Sequence, residues 1–165
     1  MLYLYILLIY GFNRMLRFNS RGEYNLPVGN VDFNQNTFKA LSDYFREVAH
    51  KSILWKNKDF HDFFKEYEPL ENDLVYLDPP YLITFSEYNK FWNEETEREL
   101  LEILDSCNAR NVKFAISNVT HYKGRTNEIF LEWADKYFIH PIKSNYISYH
   151  DNRIKCFNEV LVTNY

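Results

Sequence analysis

The chain has 165 residues, of which 46% are hydrophobic, 19% aromatic and 25% charged. That size and balance suit one folding unit with a buried core and exclude a disordered tail, a collagen-like repeat or a simple coiled coil. Nineteen Lys and Arg against 23 Asp and Glu leave a net charge of -4, so there is no general basic field and any site for a polyanion must be local.

Residues 1–10 are apolar throughout but too few for a membrane span, and they lack a basic leader and a small-residue cleavage site. They predict a buried strand or the start of a helix, with no membrane partner. Residues 12–29, rich in Asn and Arg and punctuated by Arg21-Gly22 and Pro27, predict a short hairpin or loop. Phe38, Leu41, Phe45 and Val48 then recur at helical spacing, and Asn36 or Thr37 can cap the start, so residues 36–50 predict an amphipathic helix. A short strand is expected over 52–55. Phe60, Phe63, Phe64 and Tyr67 mark a second, shorter helix that must stop before Pro69.

Leu74-Val75-Tyr76-Leu77 is a continuous apolar run ended by Asp78-Pro79-Pro80-Tyr81, which predicts a buried strand with an abrupt stop. Thr96 with Glu99 predicts a capping box opening a helix that turns Leu100, Ile103 and Leu104 inward, and residues 112–116 follow as another buried strand. Strand, helix, strand implies a parallel pair. Asn127 begins a further helix through Ile129, Phe130, Trp133 and Ala134, and residues 146–149 and 160–163 predict an antiparallel hairpin around Asp151-Asn152. The expected class is α/β with a mixed sheet. The sequence has no internal repeat, and the polar stretch 30–36 is the best boundary between domains.

Cys107 and Cys156 have no metal-ligand spacing and form no disulfide framework; they predict reduced thiols in a cytoplasmic protein. His50, His61, His121, His140 and His150 have no nucleophile or metal partner at a recognisable spacing, so no metal is expected. The four glycines, Gly11, Gly22, Gly29 and Gly124, cannot form a phosphate-cradling G-x-G loop.

Asp78-Pro79-Pro80-Tyr81 is the most informative tetrapeptide. Two prolines can simply terminate a strand while an aspartate caps the turn, but here a carboxylate, a backbone without N–H groups and an aromatic face meet at the carboxyl end of a parallel strand, where open α/β sheets bind ligands. Methylating an exocyclic amine requires its delocalised lone pair to be localised on nitrogen, and acceptors on both N–H groups favour that change. Asp78 can accept one hydrogen bond and the Pro79 carbonyl the other, with no competing donor on Pro79 or Pro80. Tyr81 can stack on the base. A base inside a duplex must first be extruded, and an aromatic platform offsets part of the unstacking.

Leu77-Asp78-Pro79-Pro80-Tyr81 resembles the catalytic motif of adenine-specific DNA methyltransferases that use S-adenosylmethionine. The upstream block Tyr10-Gly11-Phe12-Asn13-Arg14-Met15-Leu16-Arg17-Phe18-Asn19-Ser20-Arg21-Gly22-Glu23-Tyr24-Asn25-Leu26-Pro27-Val28-Gly29 narrows the resemblance to the Dam/DpnII type, whose target-recognition segment it matches. The ending Glu159-Val160-Leu161-Val162-Thr163-Asn164-Tyr165 is similar to that family's last strand. The resemblance implies a Rossmann-like methyltransferase fold, catalytic roles for Asp78, Pro79, Pro80 and Tyr81, and double-stranded DNA as partner, with GATC as the target of the nearest subfamily.

By the same resemblance Arg17 reads a base edge, that of a guanine, with Arg21 beside it. Phe12 wedges into the stack, Asn13 replaces part of the displaced pairing, and Met15 and Pro27 supply apolar contact. Ordinary core packing for Phe12 and a solvated loop for the arginines are the plainer alternatives, the latter preferred for Arg14. Lys58-Asp59-Phe60 resembles the segment that holds the adenine of the methyl donor, carboxylate to amine and ring to ring, with Asp78 on the same cofactor; Asp59 serves equally well as a helix N-cap.

Members of this family carry an F-x-G-x-G donor loop before the recognition segment, for which the glycine inventory offers no substitute. The expectation is therefore an incomplete methyltransferase fold, with residues 1–31 as the remnant of a recognition domain and 32–165 as the catalytic portion. Either a separate N-terminal chain completes it, or it is an inactive fragment that retains at most DNA binding.

Overall fold

The computed structural model describes residues 2–84, 89, 91–143 and 157–165. They fall into two compact units, Met1–Asn57 and Lys58–Tyr165.

The first unit opens with α1 (Leu2–Tyr10), so the apolar run forms the helix rather than the strand. Residues 11–29 double back as an irregular hairpin tied by the antiparallel bridges Gly11↔Val28 and Phe18↔Tyr24. The arms pass so closely that a Cβ on Gly29 would stand 2.7 Å from the Gly11 carbonyl oxygen, which only glycine avoids. α2 (Gln35–Ala49) starts before the expected Asn36 or Thr37: the extended residue Asn34 caps it, accepting from the backbone N–H groups of Asn36 and Thr37. Its expected inner face is open, with Phe38 55% and Phe45 62% exposed. The strand expected over 52–55 does not form. A strand needs a neighbour for its N–H and C=O groups, and among the described residues none pairs with this segment.

The second unit carries α3 (Phe60–Glu66), β1 (Leu74–Leu77), α4 (Glu94–Ala109), β2 (Lys113–Tyr122), β3 (Arg125–Thr126), α5 (Glu128–Ala134), β4 (Phe138–Ile142) and β5 (Phe157–Thr163). The sheet runs β1-β2-β5-β4, with β3 paired to β2. β1 and β2 are parallel as expected, with Leu74 opposite Lys113 and Leu77 opposite Ile116. β5 runs antiparallel to both β2 and β4, which makes the sheet mixed. The core lies between the sheet and α4 and α5, built from Leu100, Leu104, Phe114, Ile116, Phe130 and Val162 among others.

Three expectations are corrected here. β1 is not fully buried: it lies at the end of the strand order, Val75 and Leu77 pack on the core, and Leu74 and Tyr76 are 58% and 63% exposed. α4 has no Thr96/Glu99 capping box; Asn93 is the cap and accepts from the Thr96 N–H at 3.0 Å, while Glu99 lies 2.8 Å from His61 Nε2. The described antiparallel partners of β5 are β2 and β4, and β4 is an unpredicted strand containing Pro141. Proline argues against a central strand but is tolerated at a sheet edge, where β4 sits. The strand expected over 146–149 lies outside the described residues.

Two local devices hold β2 in place. Lys123 (φ 49°) and Gly124 (φ 78°) form the two-residue loop to β3, both in the left-handed region that such hairpins demand. At the other end the Asn164 side chain accepts from the Phe114 N–H at 2.8 Å and donates to the Val112 carbonyl at 2.9 Å, an amide standing in for one more rung of ladder. No helix among the described residues is long and apolar enough to cross a membrane.

Candidate active site

β1 ends at Leu77, and the chain leaves the sheet at Asp78 because Pro79 and Pro80 have no N–H to extend the ladder. β2 continues beyond that point, so Ser117 stands beside the departing motif. Its hydroxyl donates to Asp78 Oδ1 at 3.1 Å. Tyr76 OH lies 3.3 Å from Ser117 Oγ and, with the serine proton committed to Asp78, acts as the donor there. Tyr81 OH lies 3.0 Å from the same Asp78 oxygen and 3.1 Å from Glu159 Oε1 on β5, so one phenolic proton is shared between two carboxylates. Burial, then Asp78 and Glu159 beside it, pushes the Tyr81 phenol far above its ordinary value of 10.0, and it remains a donor at neutral pH. Among the described residues no donor occupies Asp78 Oδ2, which keeps acceptor capacity for an incoming N–H.

The loop after the motif is also tied down. The Tyr81 carbonyl accepts from Asn89 Nδ2 at 2.6 Å and from the Thr84 N–H at 3.0 Å. An apolar cleft of about 320 Å³ adjoins Asp78 and Pro79 and is lined by Lys58, Phe60, Phe64 and Trp92 as well. The Phe60 and Trp92 ring centroids are 5.8 Å apart. Trp92 is held by its indole N–H, which donates to Glu97 Oε2 at 2.7 Å.

Phe60 thus joins the motif at one cleft, and its neighbour Asp59 does not line it. Asp59 caps α3 instead, accepting from the His61 N–H at 3.0 Å, and the His61 ring is 2.7 Å from the same oxygen. Those donors hold the Asp59 carboxyl below its ordinary value. Among the described residues no cluster of three or more His, Cys, Asp or Glu could hold a metal.

Sequence reasoning missed Ser117, Glu159 and Trp92. Ser117 had a readable signal, since it directly follows the predicted strand 112–116 and ligand-binding residues collect at the carboxyl ends of parallel strands. Glu159 had none, because only the pairing of β5 with β2 brings it to the motif.

The remaining candidate residues lie in the hairpin of the first unit. Phe12 and Met15 are 39% and 42% exposed, and the Phe12 N–H donates to the Pro27 carbonyl at 3.0 Å. Asn13 (φ 53°) and Arg14 (φ 56°) are left-handed, a conformation that costs non-glycine residues energy and is held by the structure around them. Arg17 Nε donates to Asn25 Oδ1 and Nη2 to the Asn25 carbonyl, both at 2.8 Å. Arg21 Nε is 3.7 Å from Glu23 Oε2, an exposed ion pair of little energetic weight.

Residues 1–147 match the family model of the D12 class N6 adenine-specific DNA methyltransferase. The chain is 41% identical over 172 aligned positions to the Type II methyltransferase M.FokI of Planomicrobium okeanokoites, covering 98% of this chain and 26% of that protein. It is 34% identical to the modification methylase StsI of Streptococcus sanguinis with the same coverages, 98% and 26%. To the DNA adenine methylase of Escherichia coli K12 it is 28% identical over 142 positions, 81% of this chain and 47% of that protein. The chain therefore spans about a quarter of the length of the first two relatives.

Proposed function

The chain belongs to the D12 class N6 adenine-specific DNA methyltransferase family, and from that premise we propose that it carries the amine-binding motif and the target-reading hairpin of an adenine-N6 methyltransferase acting on double-stranded DNA. The observation that carries the reading is Asp78, held by Ser117 at the carboxyl end of a parallel strand beside an apolar cleft.

In this reading a flipped adenine presents its 6-amino group to the motif. Asp78 accepts one N–H and the Pro79 carbonyl the other, which draws the nitrogen lone pair out of conjugation and aims it at the electrophile. Tyr81 offers a ring for the base to stack on, and its hydroxyl contacts keep that ring in place. S-adenosylmethionine supplies the electrophilic methyl group when bound. The cleft suits such a donor, because Phe60 and Trp92 present aromatic surface for a purine and Asp78 sets a negative charge near a sulfonium. Transfer of tritium-labelled methyl to a duplex, followed by digestion to N6-methyladenine, tests the assignment. GATC comes first among targets through the Dam/DpnII resemblance.

None of the four glycines forms a G-x-G loop, so these residues offer no backbone cradle for the donor's other half. Calorimetry with the 165-residue chain is expected to show donor binding much weaker than micromolar. A separate chain that carries an F-x-G-x-G segment is expected to restore it. Micromolar binding by the chain alone would mean that the cleft holds the donor without such a loop.

The hairpin reads the target in this proposal. Phe12 fills the space of the extruded base, Asn13 and Arg21 contact the duplex beside it, Met15 and Pro27 give apolar contact, and Arg17 reads guanine. Arg17→Ala is expected to cut discrimination between cognate and guanine-substituted duplexes by about 1 to 3 kcal/mol, the worth of a bidentate base contact. Equal weakening on both duplexes would reassign Arg17 to a phosphate.

A further inference from the structure

Residues 17–25 form the tip of the hairpin. The Asn25 N–H donates to the Arg17 carbonyl at 3.0 Å and the Asn19 N–H to the Glu23 carbonyl at 2.9 Å, so Arg17 and Asn25 face each other across two short arms. The Asn19 side chain stiffens the turn by accepting from the N–H groups of Arg21 and Glu23 at 2.9 and 3.0 Å. On this frame the two side chains meet: Arg17 Nε donates to Asn25 Oδ1, and Arg17 Nη2 donates to the Asn25 carbonyl, each at 2.8 Å.

A guanidinium has five N–H groups in a rigid plane. Asn25 takes one flank of that plane, the Nε–H and the Nη2–H that lies parallel to it. Among the described residues nothing accepts from the end of the fork, where one Nη1–H and the second Nη2–H point the same way, and this pair matches the O6 and N7 acceptors of guanine. An arginine on a flexible stem can swing to a phosphate as readily as to a base edge. One clamped along its flank can present only its end.

We infer that Asn25 is a specificity-positioning residue, which holds the Arg17 guanidinium by one flank so that its free end is aimed at a guanine. The inference rests on the assignment of Arg17 to base reading. It gives Asn25 no base contact of its own.

The test is a binding comparison with the full chain. Fluorescence anisotropy is measured on a GATC duplex, on the same duplex with guanine replaced by adenine, and on one carrying 7-deazaguanine, which lacks the N7 acceptor. In Asn25→Ala the cognate-to-substituted ratio is expected to fall by a factor of about 3 to 10, because the Nη2 contact to the backbone carbonyl survives, less than the factor of about 5 to 150 for Arg17→Ala. Adding Asn25→Ala to Arg17→Ala should lower the ratio no further. Asn25→Asp keeps the acceptor oxygen and should keep the ratio while weakening all three duplexes alike by charge repulsion. It also shows whether any loss in the alanine variant comes from hairpin collapse.

Equal weakening of every duplex by Asn25→Ala, or an additive loss in the double variant, overturns the inference and leaves base reading by Arg17 intact. An unchanged ratio in Arg17→Ala removes the base-reading assignment itself, and the role of Asn25 with it.

Discussion

Replacing Asp78 with alanine is expected to lower methyl transfer by about 10² to 10³ in kcat, the loss typical when one preorganised partner of a charge-developing atom is removed. The reasoning is local. Asp78 sits where β1 ends, one of its oxygens is already engaged by Ser117 and Tyr81, and among the described residues no donor reaches the other, the oxygen proposed to accept the substrate N–H. Alanine removes that acceptor and leaves the sequence of the hairpin as it is, so duplex affinity should stay largely intact. Asp78→Asn is the finer probe: an amide oxygen still accepts, though more weakly than a carboxylate, and partial turnover is expected. The assay uses labelled donor with chain supplied with whatever segment restores donor binding. Turnover at the parental rate in Asp78→Ala would remove the motif from the chemistry, whatever the family resemblance.

The largest effect on stability is expected at Glu97. This carboxylate on α4 is 1% exposed and accepts from Trp92 Nε1 at 2.7 Å, Asn127 Nδ2 at 2.7 Å and Asn118 Nδ2 at 3.2 Å. It joins the start of α4, the middle of β2, the cap of α5 and the indole that lines the cleft. Glu97→Ala strands those donors and should cost about 3 to 5 kcal/mol of unfolding free energy by urea denaturation, as when one member of a buried charged network is deleted. Glu97→Gln keeps one acceptor but turns an N–H₂ towards another donor, and about 1 to 3 kcal/mol is expected.

The pH dependence follows from the same burial. Desolvation raises the Glu97 carboxyl above its ordinary 4.5, with the three N–H donors offsetting only part of the effect. The folded state therefore binds this proton more tightly than the unfolded chain. Its contribution is fully present below about pH 4.5 and is lost as pH rises through the higher folded value. Glu97→Gln should flatten that part of the stability profile. A profile in Glu97→Gln with the same slope as the parent would assign the dependence to other groups.

Catalysis and stability meet at Trp92. Its indole N–H is the link through which Glu97 reaches the cleft, and its ring stands near Phe60 across the space proposed for the donor's purine. A substitution at Glu97 that leaves the chain folded should therefore weaken donor binding before it alters the motif. The motif is held independently by Ser117, Tyr81 and Glu159.

What the amino-acid sequence determined by itself is what depends on neighbours along the chain. The apolar run Leu74–Leu77 and the prolines after it specify a strand that must stop at Asp78, because proline has no N–H for a ladder. The spacing of Leu100 and Leu104 specifies the inward face of α4, and Asn127 is the cap of α5 that its position before Phe130 and Trp133 announces. The parallel pairing of β1 with β2 follows from the helix between them. Only the tertiary structure decided what depends on pairing across distance. Residues 52–55 have strand composition but pair with no strand among the described residues, so they stay irregular. β4 carries a proline and still pairs, because it occupies an edge. Asn93 rather than Thr96 caps α4, and Glu99 turns to His61 instead. Glu159 and Ser117 reach Asp78 and Tyr81 from strands far along the chain, since β5 lies against β2 and β2 against β1. Local propensity acts through bonds a few residues apart, whereas a cluster of four polar side chains from two strands and the loop after a third exists only once the sheet has set its order and register.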